Sequence, residues 1–187
     1  MKQAQVLSEG DTKRVLAAIS KRVTRDRDRA MFMLTVLAGM RVGEVAALKT
    51  SDIFERDGAV RDHIRLSRLQ TKGGEARTVL LNARAQAEML HYRLSPSALN
   101  DGPLFVSHRG QAMCANSVVQ VFGRIYRAAG LSNASSHSGR RTFITVLAHK
   151  GVNVRVLAAL AGHKHITTTQ RYIELNDNVL RRAVDLL

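Results

Sequence analysis

The chain has 187 residues, of which 45% are apolar, and its 29 Lys and Arg against 15 Asp and Glu give a formal net charge of +14. This length and apolar content fit one folded domain and exclude a wholly disordered chain. The single cysteine, Cys114, excludes an internal disulfide and indicates a reducing compartment such as the cytoplasm. The sequence has no apolar run of the roughly 20 residues that a membrane helix needs, and its start lacks the apolar core of a signal peptide.

Helices are predicted for most of the first 48 residues. The first helix ends at Ile19 and begins with a capping box formed by Ser8 and Asp11. The second covers residues 25–38, starts with charged residues, continues almost entirely apolar and ends before a glycine, which is typical of a helix C-terminus. A third, short helix is predicted from Val42 to about Leu48.

The middle of the chain changes to a β pattern. Apolar and polar residues alternate over residues 63–69, Gly73 and Gly74 are turn residues, and residues 78–81 favour β structure. These features predict a hairpin, which a surface helix over residues 83–93 follows.

The last third of the chain is predicted to be helical again. A break rich in proline and glycine leads to the short apolar segment 104–106, and helical patterns then run from about Asn116 to the end, interrupted by Gly130, Gly151 and Gly162. The predicted fold class is therefore mainly α with a small antiparallel β-sheet, an α+β fold.

One long segment carries charge of a single sign. Residues 102–173 contain no Asp or Glu, nine Lys and Arg, of which seven are Arg, and five of the seven histidines. An ordinary solvated surface mixes the two signs, so this segment favours a polyanionic partner, and nucleic acid first among them. The alternative is a basic protein whose charge serves only its solubility.

His137 and Arg140 form the first candidate site. Ser135 or Ser136 can cap a helix there, and the apolar residues that follow Arg140 place it on the stripe that faces the core. An inward-facing arginine needs an anion as its partner, because an unpaired buried charge is very costly, and a phosphate at a helix N-terminus would provide one. An internal carboxylate from a distant part of the chain is the alternative.

His163 and Tyr172 form the second candidate site. Gly162 ends the short helix predicted over residues 153–161, and His163 follows it. Thr167 fits an N-cap, which would put Tyr172 on a short helix. Each residue alone also fits a structural role, the histidine in capping or packing and the tyrosine in the core.

Five patches of the sequence, in this order and spacing, resemble the tyrosine recombinase (phage integrase) family. The resemblance covers about residues 5–175 and does not include the separate N-terminal helical domain that members usually carry. The matching patches are Ala38-Gly-Met-Arg41-Val-Gly-Glu44-Val, Thr71-Lys72-Gly-Gly-Glu-Ala-Arg77-Thr-Val, His137-x-x-Arg140-Arg-Thr-Phe143, Leu160-Ala-Gly-His163 and Ile166-Thr-Thr-Thr-Gln170-Arg-Tyr172.

The resemblance implies catalytic roles for one tyrosine, two arginines and two histidines. Tyr172 is the implied nucleophile, which forms a 3′-phosphotyrosyl bond and releases a 5′-hydroxyl. Arg41 and Arg140 are implied to bind the phosphate, with His163 as a further donor, which agrees with the bidentate geometry of arginine. His137 is implied to assist either proton transfer or phosphate binding, and the sequence does not separate these roles.

Lys72 is implied to be the general acid that protonates the leaving 5′-oxygen. Without the other patches it would be interpreted as a solvated turn residue. Glu44, one helical turn after Arg41, is expected to orient that arginine without touching the substrate. Further contacts with DNA are expected from four basic residues: Arg77, Arg141, Lys164 and Arg171. No metal or other cofactor is implied, because the carboxylates are too few and scattered for a two-metal site and Cys114 has no Cys or His at zinc-ligand spacing. No ATP is implied either, because the phosphotyrosine conserves the energy of the cut bond.

Residues 1–187 are expected to form a single catalytic domain, either separated from a longer chain or natural as a short recombinase. The tail helix predicted over residues 176–187 can pack on its own domain or on a neighbouring subunit. The implied partners are double-stranded DNA with an inverted-repeat site and further copies of the chain, as a tetramer on DNA. The implied location is the cytoplasm of a bacterium or of a phage host, at the nucleoid when bound to DNA.

Two other functions compete with site-specific recombination. A DNA-binding regulator with this fold would tolerate loss of catalytic residues, whereas all six implied positions are present in this sequence. A type IB topoisomerase shares the chemistry and normally has a longer chain. Gly139 departs from the apolar residue usual in the family, at an expected cost in helix propensity of about 1 kcal/mol relative to Ala.

Overall fold

The computed structural model describes residues 4–96, 98, 101–172 and 184–185. These residues form nine α-helices and one two-stranded antiparallel sheet, which confirms the predicted fold class. In chain order the elements are α1 (Glu9–Ser20), α2 (Arg25–Leu37), α3 (Val42–Ala46), α4 (Thr50–Ile53), β1 (His63–Leu66), β2 (Arg77–Leu80), α5 (Ala83–Arg93), α6 (Ala115–Ala128), α7 (Ser138–His149), α8 (Val154–Ala161) and α9 (Ile166–Gln170).

The chain divides into two compact units, Met1–Phe143 and Ile144–Leu187, which we call unit 1 and unit 2. Helix α2 lies at the centre of unit 1, where it packs against α1, α3 and α5. Phe32 of α2 meets Phe122 and Tyr126 of α6 edge to face, with ring centroids 6.4 and 6.5 Å apart. This aromatic cluster holds α6 against the central helix.

Local sequence signals account for the ends of the first two helices. The Asp11 backbone N–H donates to the Ser8 hydroxyl and the Ser8 N–H donates to the Asp11 carboxylate, each at 3.0 Å, so both halves of the predicted capping box are present. Gly39 follows the end of α2 with a φ of +63°, as predicted for a glycine after a helix C-terminus.

The middle of the chain differs from the prediction in two places. β1 pairs with β2 from His63 opposite Leu80 to Leu66 opposite Arg77, so the first strand is shorter than predicted and a 3₁₀ turn, Arg68–Gln70, follows it. Helix α4 was not predicted. Its first N–H, that of Thr50, donates to the distant Gly102 carbonyl at 2.9 Å, a tertiary contact that no local pattern encodes.

Unit 2 contains the pair α8 and α9, which pack against each other. Leu157 and Ala161 of α8 and Thr169 of α9 are buried. Gly162 ends α8 with a φ of +62°, and the His163 N–H donates to the Ala158 carbonyl at 2.9 Å, so the predicted glycine cap is confirmed. The tail helix predicted over residues 176–187 lies outside the described residues, apart from 184–185.

Candidate active site

Arg41 immediately precedes α3 in extended conformation. Its backbone N–H donates to Glu44 Oε2 at 2.8 Å and its Nη1 donates to Glu44 Oε1 at 2.9 Å, so one carboxylate fixes both the backbone and the guanidinium. Glu44 is buried, whereas 31% of the Arg41 side chain is exposed. The expected orienting contact from Glu44 to Arg41 is therefore present in the structure.

Glu44 has a second arginine partner. Arg77, the first residue of β2, donates from Nε to Glu44 Oε1 at 3.0 Å and from Nη2 to Oε2 at 2.7 Å, a bidentate pair. Burial alone would raise the pKa of Glu44, but the hydrogen bonds and charges of Arg77 and Arg41 outweigh it and lower the pKa of this carboxyl below its ordinary value. Glu44 is therefore ionised in the folded protein at neutral pH, and it links the hairpin to α3.

Lys72 lies on the exposed turn between Gln70 and Arg77. The backbone turns at Gly74, whose φ is +65°, and the Thr71 hydroxyl donates to the Glu75 carbonyl at 2.8 Å. The glycines and the exposure agree with the sequence prediction of a long amine on a hairpin turn.

Arg140 lies in the first turn of α7 and is 4% exposed, so the prediction that it faces inward is confirmed. Its Nη1 donates to the Gly39 carbonyl at 2.6 Å. A Cβ on Gly139 would overlap the Thr35 hydroxyl of α2, and one on Gly39 would lie within 2.8 Å of Phe143 Cε1. The two glycines therefore permit the close approach that brings Arg140 to its carbonyl partner.

His137 directly precedes α7, and its carbonyl accepts the first hydrogen bond of that helix, from the Arg141 N–H at 2.9 Å. The Ser135 hydroxyl accepts from the His137 N–H at 3.3 Å and thus supports the turn before the helix. Helix α7 begins at Ser138, which is later than a cap at Ser135 or Ser136 would place it. Surrounding protein and then the charges of Arg140, Lys72 and Arg41 lower the pKa of His137 below its ordinary value.

Unit 1 therefore brings together four of the six predicted catalytic residues. Three cations act on the same imidazole, although their positions in the chain are 41, 72 and 140. The imidazole is neutral near pH 7, because its lowered pKa disfavours the charged form. Such a cluster of cationic side chains suits an anion with several oxygens, such as a phosphodiester.

In unit 2, His163 follows the αL glycine of α8 and is oriented by a hydroxyl. Its Nδ1 lies 2.8 Å from Thr169 Oγ1, and Thr169 is fully buried. When the threonine hydroxyl donates to Nδ1, the proton of the neutral ring resides on Nε2, which then serves as a hydrogen-bond donor. The contact fixes the orientation of the ring, and in this tautomer His163 can act as the predicted donor.

Tyr172 stacks on His163, with ring centroids 5.9 Å apart and an interplanar angle of 19°. The prediction that Thr167 caps a short helix carrying Tyr172 is wrong. His165 occupies the N-cap, α9 ends at Gln170, and Tyr172 lies in the turn that follows. The backbone of His165 is extended, so the helix begins at Ile166 and Thr167 lies in its first turn.

The four predicted DNA-contacting residues fall in different surroundings. Arg77 is held in the pair with Glu44, and only 11% of its side chain is exposed. Arg141 is partly exposed, and Lys164 and Arg171 are exposed. Their contacts with DNA stay predictions.

Three residues that matter to this geometry were not singled out from the sequence. The Gly39 carbonyl binds Arg140, Gln70 anchors the turn that carries Lys72, and Thr169 orients His163. Gly39 had a signal only as a helix-terminating glycine, and Thr169 is one of three consecutive threonines of which only one is fully buried.

In the part of the chain that the structure describes, three or more His, Cys, Asp or Glu side chains nowhere converge as a metal site would require. Within the same residues, no helix combines the length and the apolar character needed to cross a membrane.

Comparison with known proteins gives a family match over residues 5–179, to the family described as the phage integrase family. Among curated proteins, the tyrosine recombinase XerD of Ralstonia nicotianae is 34% identical over 161 residues, which cover 83% of this chain and 50% of that protein. The tyrosine recombinase XerC of Pelobacter propionicus is 30% identical over 161 residues, which cover 85% of this chain and 51% of that protein. The chain thus spans about half the length of these curated relatives.

Solved structures agree in fold. The crystal structure of XerA recombinase superposes with a TM-score of 0.73 at 27% identity, covering 98% of this chain and 66% of that one. The Tn1549 transposon integrase, solved in complex with a circular intermediate DNA, gives a TM-score of 0.77 at 19% identity and covers 100% of this chain and 67% of that one.

Proposed function

The chain belongs to the phage integrase family, and from this premise we propose that it is a site-specific DNA recombinase that cleaves and rejoins DNA through a 3′-phosphotyrosyl bond. The observation that carries the proposal is the cluster in unit 1. Arg140 donates to the Gly39 carbonyl two residues before Arg41, and Glu44 binds both Arg41 and the Arg77 that ends the turn of Lys72. The charges of Arg140, Lys72 and Arg41 also lower the pKa of His137. Family membership indicates the reaction, and this cluster provides the positive charge that a reacting phosphodiester needs.

Arg41 and Arg140 bind the non-bridging oxygens of the scissile phosphate. Charge builds up on these oxygens as the tyrosine attacks, and each well-placed donor contributes about 3–4 kcal/mol to the transition state by analogy with single oxyanion-hole donors. Both guanidiniums are oriented before DNA arrives, Arg41 by Glu44 and Arg140 by the Gly39 carbonyl. Little reorganisation is then needed during the reaction.

The covalent step exchanges one P–O bond for another. The Tyr172 hydroxyl loses its proton to His137 or to water, and its oxygen forms a bond to phosphorus while the bond from phosphorus to the 5′-oxygen breaks. Lys72 gives a proton to that leaving oxygen. His137 takes part in proton transfer or phosphate binding, and its lowered pKa keeps the imidazole neutral near pH 7 in the protein without DNA. His163 donates a further hydrogen bond to the phosphate. Attack by a 5′-hydroxyl of the partner strand reverses the step.

The partner in this proposal is double-stranded DNA with an inverted-repeat site, on which four copies of the chain assemble. The acid-free segment 102–173 supports a polyanionic partner, and the Tn1549 integrase of similar fold was solved with DNA. The reaction is placed in the bacterial cytoplasm, at the nucleoid. Arg141, Lys164 and Arg171 are proposed to contact the DNA backbone.

A nicked suicide substrate tests the proposal. The protein is incubated with DNA carrying a candidate inverted repeat, and a covalent protein–DNA adduct is sought on a denaturing gel. We expect an adduct with the wild-type chain and with Tyr126→Phe, whose ring is buried in the core, and none with Tyr172→Phe. An adduct that survives Tyr172→Phe would assign the nucleophile elsewhere, and no adduct on any repeat would favour a regulator that binds DNA without cutting it.

A further inference from the structure

The turn that carries Lys72 is exposed at its tip and anchored at both ends. We call residues 71–76 the Lys72 loop. Residues 72–76 are all exposed, and Gly74 adopts a φ of +65°. The lysine amine is therefore not enclosed by the protein, and its position depends on how the ends of the loop are held. The ends of the loop differ from its tip, because they adjoin Gln70 and Arg77, whose side chains bond to the segment α3–α4.

Gln70 provides the first anchor. Its Nε2 donates to the Ala47 carbonyl at 3.0 Å and to Asp52 Oδ2 at 2.7 Å, so both amide protons bind the segment that runs from the end of α3 into α4. Its Oε1 accepts from the Ser67 N–H and hydroxyl, each at 2.9 Å, which closes the 3₁₀ turn before the loop. The amide thus joins the loop to a neighbouring element with all its polar atoms in use.

Arg77 provides the second anchor, at the other end of the loop. Its guanidinium is bidentate to the buried Glu44 of α3, and the same carboxylate holds Arg41. Between the anchors, the Thr71 hydroxyl closes the base of the loop on the Glu75 carbonyl at 2.8 Å. Both ends of the Lys72 loop are therefore fixed to the helical segment that begins at Arg41.

We propose that Gln70 and Arg77 are positioning residues that hold the Lys72 loop against α3–α4, so that the Lys72 amine reaches the 5′-oxygen of the phosphate that Arg41 binds. This proposal rests on the proposed role of Lys72 as general acid. A loop fixed at both ends samples a small volume, so the effective concentration of its amine at the phosphate is high. A loop released at one end samples a larger volume, and the amine meets the leaving oxygen less often.

The test compares two DNA substrates that differ in one atom. On ordinary suicide DNA the 5′-oxygen must be protonated as it leaves, whereas sulfur at the 5′-bridging position leaves as a thiolate and needs no acid. Gln70→Ala is expected to form the adduct at least about tenfold more slowly than wild type on ordinary DNA. On the sulfur substrate its rate is expected to return to within about threefold of wild type, as for Lys72→Ala.

Two further variants keep the test independent of a general loss of structure. Gln70→Glu has the same shape but loses both amide donors and places a carboxylate beside Asp52, so the same pattern is expected. In the double variant Gln70→Glu with Asp52→Asn, the new amide at position 52 can donate to the new carboxylate at position 70. This variant is expected to recover part of the rate on ordinary DNA. Arg77→Lys keeps the positive charge at Glu44 but loses the bidentate guanidinium. The sulfur substrate is expected to restore only part of its rate of adduct formation, because Glu44 also holds Arg41.

Gln86→Ala is the matched control. The Gln86 amide also donates to a backbone carbonyl, that of Leu81 at 3.0 Å, but outside the Lys72 loop, and this variant is expected to cleave both substrates at the wild-type rate. The inference is overturned if Gln70→Ala and Gln70→Glu cleave ordinary DNA like wild type, or if their loss is equal on the two substrates. If wild type forms no adduct, or sulfur does not restore Lys72→Ala, the proposed function itself fails.

Discussion

His137 shows how single side chains set the state of this site before DNA arrives. Partial burial and three neighbouring cations lower its pKa, so the folded protein keeps the imidazole neutral. A DNA phosphate placed beside the ring has the opposite charge and would raise the same pKa. In the proposed site, binding of DNA would therefore be coupled to uptake of a proton by His137.

This coupling predicts a pH dependence of DNA affinity. In a Tyr172→Phe background, which prevents covalent trapping, affinity is expected to rise as pH falls from about 7.5 to about 5.5, by at most tenfold per pH unit, since one proton is taken up. Affinity rises toward low pH because His137 has a higher pKa in the complex with DNA than in the free protein, so the complex holds more protons in this interval. Fluorescence anisotropy of labelled DNA measures the affinity.

His137→Gln is expected to lose that part of the pH dependence. The control His149→Gln, at the exposed end of α7, is expected to keep it. An unchanged pH dependence in His137→Gln would show that this imidazole does not meet the phosphate.

The hydroxyl of Thr169 is expected to affect the rate of adduct formation, which the burial of this residue alone would not indicate. Thr169→Val keeps the shape of the side chain but removes the hydroxyl that lies 2.8 Å from His163 Nδ1, so the ring is free to rotate or change tautomer. We expect adduct formation about tenfold slower, because a misaligned donor contributes less to the transition state. Thr169→Ser, which keeps the hydroxyl, and Thr167→Val, on the exposed face of α9, are expected to cleave like wild type. Equal rates for Thr169→Val and wild type would exclude this orienting role.

Sequence patterns predicted which residues are polar and inward-facing, but not what they bind. The apolar stripe of α7 correctly predicted that Arg140 is buried. Its carbonyl partner at Gly39 lies 101 residues earlier in the chain, and a periodic pattern within one helix cannot identify a contact at that distance. The same holds for Gln70, whose amide partners come from the segment α3–α4.

At the level of elements, the contact between the first turn of α7 and α2 determines where Arg140 lies. Gly139 meets Thr35 where the two helices touch, and Thr35 is fully buried. The sequence suggested that this glycine carries only a cost in helix propensity. The structure supplies a compensating reason, because any larger side chain would force the helices apart at the point where Arg140 reaches Gly39.

This close contact predicts that Gly139→Ala destabilises the protein by about 1–3 kcal/mol, because the overlap outweighs the gain in propensity. The matched control is Gly123→Ala in α6, where the new Cβ would meet no atom within 4 Å apart from the backbone of its own helix. That variant is expected to be more stable than wild type by up to about 1 kcal/mol. Urea denaturation measures both free energies of unfolding, and a stabilised Gly139→Ala would contradict the tight crossing.

Elements with strong local signals were predicted well, and those that depend on tertiary contacts were not. The capping box at Ser8 and the bounds of α5 are confirmed by the structure. Helix α4 and the start of α9 were missed or misplaced, because short helices gain little from propensity and are fixed by neighbouring segments.

At the level of the whole molecule, charge is the property that the sequence reveals best. The net charge is +14, and residues 102–173 contain no carboxylate side chain. Every phosphate that such a surface neutralises releases counterions from DNA, so affinity should depend steeply on salt. This part of the free energy does not depend on DNA sequence.

With at least three phosphate contacts, raising salt from about 50 to about 200 mM is expected to weaken DNA binding about 40-fold. Lys164→Ala is expected to reduce the slope of log affinity against log salt by about 0.9, since it removes one contact. Lys13→Ala, an exposed lysine of α1 outside the acid-free segment, is the control and should leave the slope unchanged. A loss of less than about threefold over this range would mean that the positive charge does not face the DNA.

The carboxylate shared by Arg41 and Arg77 has an electrostatic consequence for the incoming substrate. An isolated Arg–Glu pair has no net charge, so a glutamate that held Arg41 alone would cancel the potential by which that arginine attracts an anion. With Arg77 on the other side of Glu44, the three groups together keep one positive charge. Because of Arg77 on the hairpin, Glu44 can hold Arg41 rigidly while the three groups together still attract a phosphodiester.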